Sequence, residues 1–328
     1  MAPVNQPRRA WVDPAEAEPP HAELPSGALT SRSEPIRVER LTKRYGDVIA
    51  IRNLSFTVQP GRVTGFLGPN GAGKTTTLRA MVGLVTPTTG RARFGEHAYA
   101  ELAHPQQTVG CVLDSHVHPA RSGRNHLRVL AATAEADDSR VDELLDLVGL
   151  SEVAHRPAGG YSLGMRGRLA LAAALLGDPA YLIMDEPANG LDPEGIRWLR
   201  TFIRRFAASG RTVLVASHLL SEVEATADDI VVIKAGRLLV QTQIAELDFD
   251  VGSCLVRVSN HARARAALRE LGVEIELLED DQGDYLRVST SDTAAVGTVL
   301  FNAKLAVFEL TRERADLEER FFQMLEAS

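Results

Sequence analysis

The sequence predicts an α/β protein: a phosphate-loop core with an inserted helical subdomain, followed by a small C-terminal α+β ferredoxin-like domain. Three observations carry that expectation. Gly68-Pro69-Asn70-Gly71-Ala72-Gly73-Lys74-Thr75 matches G-x-x-x-x-G-K-[ST] at every fixed position, between a short apolar run at residues 63–67 and a helical pattern at 74–84. A second apolar run, 181–184, ends in two carboxylates, Asp185 and Glu186. Beyond residue 247, strand-like and helix-like stretches alternate in the order βαββαβ.

Composition sets the outer limits. At 328 residues the chain is long enough for about two domains with separate cores. A net charge of −7 disfavours a broad nucleic-acid surface, so no nucleic-acid partner is expected. Cys111 and Cys254 are too few for a disulfide framework or a cysteine metal cluster, which suits a reducing cytosol. No uninterrupted apolar run approaches the ~18 residues that a membrane-spanning helix needs. The longest, residues 169–176, stops at Gly177-Asp178-Pro179. Pro, Glu and Arg interrupt the first thirty residues where a secretory signal would be apolar. Any work done at a membrane therefore needs a second chain to cross it.

Taken in order, residues 1–34 are rich in Pro, Ala, Glu and Ser and bury too little to offset ordering entropy, so a disordered tail is expected, with Trp11 incidental to it. Residues 36–41 and 54–58 alternate as strands, and Tyr45 between them offers an aromatic face for a purine base or for packing. In the phosphate loop the glycines aim backbone N–H groups at an anion. The start of the following helix favours negative charge, Lys74 adds a full positive charge, and the Thr75 hydroxyl suits Mg²⁺, with Thr76 next in the helix. Residues 108–113 read as a strand ending at Asp114, and 124–134 and 140–150 as helices of an inserted lobe. Ser162 stands where an N-cap would, either facing an anion or simply capping the apolar helix that runs to Leu176. Asp185 is suited to hold Mg²⁺ and Glu186 to orient or deprotonate a water, both at the carboxyl end of a strand. A tight loop through Asp192 leads to a helix at 196–206, and a buried strand at 212–217 delivers His218 to the same crevice. Residues 228–239 read as a hairpin turning at Ala235-Gly236.

In this order Tyr45, Gly68 to Thr75, Ser162-Leu163-Gly164, Tyr181 to Glu186, Asp192 and His218 resemble the ATP-binding cassette (ABC) ATPases over about residues 35–245. The resemblance implies an ATP-hydrolysing domain at 35–247, with its helical subdomain at about 115–165, and an accessory domain at 248–328. It implies ATP and Mg²⁺ as ligands, with Tyr45 on adenine, Lys74, Thr75 and Asp185 on phosphates and metal, Glu186 as catalytic base and His218 at the γ-phosphate. It also implies a head-to-tail homodimer, or a heterodimer with a similar cassette. There Ser162 and Gly164 reach the partner's γ-phosphate and Asp192 lines the seam. The expected role is to power a separate membrane permease, met around residues 117–130, from the cytoplasmic face of the membrane. A soluble ABC ATPase acting on ribosomes or DNA is the alternative, and a phosphate-loop kinase a weaker one.

Three departures stand out. The usual Leu-Ser-Gly-Gly-Gln is Tyr161-Ser162-Leu163-Gly164-Met165, a change shared with drug-export and bacteriocin-immunity relatives. Asp114 stands where a metal-binding glutamine is usual. Gly167 lies inside the signature helix, where glycine costs about 1 kcal/mol relative to alanine. After the cassette, strands at 254–258, 273–278, 285–289 and 306–310 and helices at 261–271 and 293–304 give the ferredoxin-like order, with a last amphipathic helix at 317–325.

Overall fold

A hairpin opens the fold: β1 (Ile36–Tyr45) and β2 (Val48–Val58) pair antiparallel down to Tyr45↔Val48 around Gly46, whose φ of 55° suits glycine. Both strands run further than their alternating stretches predict, so Tyr45 closes a strand instead of sitting in a loop. The structure, a computed structural model, describes residues 33–247 and 250–314. Trp11, most of the expected tail and the helix expected at 317–325 lie outside those residues. Ser33 and Glu34, assigned to the tail, are tied down: Ser33 N and Oγ donate to Gly210 O, and Thr212 Oγ1 donates to Glu34 O.

The chain divides after Ile244 into two compact units. In the first, β3 (Val63–Leu67) leads into α1 (Lys74–Met81). β4 (Thr89–Phe94) then completes a three-stranded antiparallel sheet ordered β2-β1-β4. A single turn, α2 (Pro105–Thr108), precedes β5 (Val109–Val112), and the helical lobe follows with α3 (Gly123–Ala134), α4 (Asp138–Leu147) and α5 (Leu163–Ala174). The remaining elements are β6 (Tyr181–Asp185), α6 (Pro193–Ala208), β7 (Thr212–Ser217), α7 (Leu220–Thr226), β8 (Asp229–Lys234) and β9 (Arg237–Gln243).

The main sheet runs β5-β6-β7-β3-β8-β9, parallel except for its last strand. Its inner strands are apolar at nearly every position because both faces are covered. In β6, Leu182 and Met184 join the cluster formed by α5, α6 and the helical lobe, while Tyr181 and Ile183 join the one formed by α1 and the small sheet. α6 turns Trp198, Leu199, Phe202, Ile203 and Phe206 to the core at helical spacing. Asp192 caps it by accepting from Gly195 N at 2.8 Å, and Pro193 starts it without losing a hydrogen bond.

The second unit contains β10 (Asp250–Val258), α8 (His261–Leu268), β11 (Ile275–Asp280), β12 (Gly283–Val288), α9 (Thr293–Asn302) and β13 (Val307–Arg314). Its sheet is ordered β11-β12-β10-β13 with every neighbour antiparallel. Cys254, Val256, Leu286 and Val288 pack against Ala264, Leu268, Val296 and Leu300 as a separate core.

A Cβ added at Gly167, in the middle of α5, would meet nothing within 4 Å. Gly167→Ala should therefore stabilise the fold by about 1 kcal/mol, through helix propensity and a less flexible unfolded chain. Urea unfolding followed by helix ellipticity measures it; a lower midpoint would show that the position needs glycine for another reason.

Candidate functional site

The loop between β3 and α1 folds tightly because two of its residues leave no room for a side chain. A Cβ at Gly68 would lie 2.6 Å from Ile233 O, and one at Gly73, whose φ is 104°, 2.6 Å from Ala50 O. Pro69, Asn70 and Gly71 form the exposed tip, while Ala72 is buried and its N–H donates to Pro69 O at 3.0 Å. No side chain caps α1, and its first turn holds no acidic residue, so its leading N–H groups are left to an anion. Lys74 is buried with Nζ donating to Gly68 O at 2.6 Å. Burial pulls its pKa down, and the nearby Glu186 and Asp185 pull it back up. Thr76, half-buried, continues the first turn.

Across the sheet, β6 brings its terminal carboxylate to this loop: Thr75 Oγ1 donates to Asp185 Oδ2 at 2.6 Å. Asp185 Oδ1 is buried and has no hydrogen-bond partner among the described residues. Burial raises the Asp185 pKa despite the Thr75 bond, and Glu186 adds to the rise. An unsatisfied anionic oxygen beside a hydroxyl, next to an anion cradle, is a donor set that fits a hard divalent cation such as Mg²⁺. Glu186 follows with φ 51°, a left-handed conformation unfavourable for a side chain of its kind. Its N–H donates to Ala216 O at 2.9 Å, and its Oε2 lies 2.7 Å from Nδ1 of His218, just past the end of β7. Loop, carboxylate pair and histidine thus meet at one edge, where parallel sheets place their ligands.

The other predicted residues divide into two groups. Ser162 and Leu163 are exposed at the start of α5, which Ser162 caps by accepting from Met165 N at 3.2 Å. Gly164 is buried against the loop after Glu186: a Cβ there would lie 2.5 Å from Gly190 O. Asp192, at the end of that loop, pairs with Arg168 of α5 at 3.6 Å. Sequence reasoning missed Arg168, although Arg166 and Arg168 interrupting an otherwise apolar helix were a signal for it. Tyr161, where leucine is usual, is buried in the helical lobe with its hydroxyl donating to Val153 O at 2.8 Å. Among the described residues, no hydrogen bond or ion pair joins Tyr45 or Asp114 to the cluster. Tyr45 is half exposed with Lys43 Nζ 4.8 Å from its ring centre. Asp114 accepts from His116 N at 3.2 Å and faces His116 Nδ1 at 3.1 Å. Partial burial raises its pKa, but the His116 contacts outweigh that and hold it below the usual carboxylate value.

Residues 51–189 match the ABC transporter family, and residues 252–318 match a domain of unknown function. The chain is 34% identical over 294 residues to the uncharacterized ABC transporter ATP-binding protein YhcH of Bacillus subtilis, covering 88% of this chain and 95% of that one. It is 32% identical over 296 residues to the bacitracin transport ATP-binding protein BcrA of Bacillus licheniformis, covering 88% and 97%. A solved ATP-binding cassette, a dimer in a post-hydrolysis state with ADP and Pi, superposes with a TM-score of 0.58 at 20% identity, over 64% of this chain and 98% of that one.

The buried, unpaired oxygen of Asp185 makes a stability prediction. Its raised pKa favours the neutral acid in the fold, so the carboxyl is tolerated below its unfolded value and costs stability as pH rises through the folded one. Asp185→Asn should raise the nucleotide-free melting temperature near pH 7 by roughly 1–2 °C, a small gain because the carboxyl keeps part of its solvent contact. The gain should close as pH falls below the ordinary carboxylate range, where the carboxyl is protonated in both the folded and the unfolded chain. A melting temperature lowered at pH 7 would show the carboxylate to be stabilising.

Proposed function

Because the chain belongs to the ABC transporter ATP-binding family, we propose that it is the ATP-hydrolysing subunit of an export system, coupled to a separate membrane-spanning permease at the cytoplasmic face of the membrane. The observation that carries this reading is the 2.7 Å contact between Glu186 and His218, at the edge that also holds the Lys74 loop. Glu186 orients the attacking water and accepts its proton; His218 contacts the γ-phosphate and holds Glu186 in place. The loop's N–H groups and Lys74 bind the transferring phosphates, and Tyr45 stacks on the adenine. Thr75 and Asp185, with Asp114 as a further candidate ligand, would hold Mg²⁺, which would supply charge neutralisation at the phosphates.

Two such chains, or one with a similar cassette, face each other so that Ser162 and Gly164 of each approach the other's nucleotide, with Asp192 at the seam. The exposure of Ser162 and Leu163 supports this arrangement, as does the dimeric state of the solved neighbour. Among the described residues no helix is long and apolar enough to cross a membrane, consistent with a separate permease. The exposed Val129 and Leu130 of α3 suit contact with that partner. The bacitracin transport relative supports export.

Glu186→Gln should leave ATP affinity unchanged, stop turnover and trap an ATP-bound dimer. Phosphate release and size-exclusion chromatography with ATP read both effects, and unchanged hydrolysis removes Glu186 from its role. Ser162→Arg should abolish hydrolysis by the dimer yet leave ATP binding by the variant monomer intact. Weakened binding in the monomer, measured by nucleotide titration, would place Ser162 in its own chain's pocket instead.

A further inference from the structure

The two residues that meet at the reaction edge each launch a helix. α6 begins at Pro193, after the loop that leaves Glu186, and α7 begins at Leu220, directly beyond His218. We propose that Arg200 and Arg204 of α6 clamp α7 and thereby position His218 against Glu186, which makes Arg200 and Glu222 positioning residues for hydrolysis. The inference rests on the ATPase reading above.

Arg200 holds Glu222 with a two-point fork, Nε to Oε2 at 3.0 Å and Nη2 to Oε1 at 2.9 Å. Glu222 lies in the first turn of α7, and one turn further along α6 Arg204 Nε donates to Thr226 O at the other end, at 3.4 Å. Both ends of the short helix are therefore gripped by one face of α6. Apolar packing holds α7 as well, through the buried Leu220 and Val223, but it leaves a gap on one side. Between the helices and the sheet lies a cavity of about 30 Å³, lined in part by Pro187, Ala188, Ile196, Val215 and Val223. On its other side α7 presses on β3, where a Cβ at Gly65 would lie 2.3 Å from Val223 Cγ1. The turn into α7 is stiffened by Ser217 Oγ, which accepts from Leu219 N at 3.0 Å. A closed circuit results: Glu186, its loop, α6, the arginine fork, α7, His218, and back through the 2.7 Å contact to Glu186. Opening the fork frees α7 to tilt over the cavity and carries His218 with it.

The test uses the full chain, with turnover expressed per ATP-binding site so that unfolded protein does not count. Glu222→Gln should lower kcat about ten- to a hundredfold, the scale of a small misplacement remote from the reacting atoms, with KM and ATP affinity unchanged. In a His218→Ala background, read by single-turnover phosphate release, the same substitution should cost nothing further. If Glu222→Gln melts below the assay temperature, the cycle is run with Arg200→Lys, which keeps the charge and loses the fork. An unchanged kcat, a raised KM alone, or an equal fractional loss in both backgrounds overturns the clamp. Absent turnover in the wild-type chain overturns the ATPase reading instead.

Discussion

The site depends on the parallel ladder at the centre of the main sheet. β3 and β7 pair with Leu67 opposite Ser217, and β6 and β7 with Asp185 opposite Ala216. The three strands therefore end flush, and the Lys74 loop, the carboxylate pair and His218 emerge side by side although they are far apart in sequence. In a sheet covered on both faces, a one-residue slip would turn every side chain of a strand to the wrong layer. The same packing that secures the core thus sets the spacing between Thr75 and Asp185 and between Glu186 and His218.

Much of this was legible because buried parallel strands and phosphate loops write themselves locally. An apolar run that stops at polar side chains marks both the strand and the end that faces the site, as at Met184-Asp185 and Ala216-Ser217-His218. Elements defined by pairing left weaker traces. β4 has only two buried apolar residues, Ala92 and Phe94, and is a strand because β1 supplies the partners Val38 and Ile36. α7 has no side-chain cap to announce it and is fixed from α6 and β3. The site followed the same rule: the phosphate loop could be read from spacing, whereas the partner of Arg168 became visible only when α5 lay beside Asp192. At Asp114 the local contact with His116, two residues on, is a feature that its strand-end position does not announce.

The helix α5 and the strand β6 are also less separate than their positions in the chain suggest. Gly164 against Gly190, together with the Arg168–Asp192 pair, joins the start of α5 to the loop that leaves Glu186. Replacing Gly164 by any larger residue would press on that loop, so its small size already has a purpose within one chain. The buried Tyr161 roots the same segment in the helical lobe.

Glu186 occupies a left-handed backbone conformation that its side chain disfavours, held there by the Ala216 carbonyl and the His218 contact. Glycine would occupy that conformation without the steric cost. Selecting variants of this chain for heat resistance alone would accordingly reward loss of the Glu186 carboxylate. Any engineering campaign must score survival and nucleotide consumption together, or it will breed robust, inert descendants.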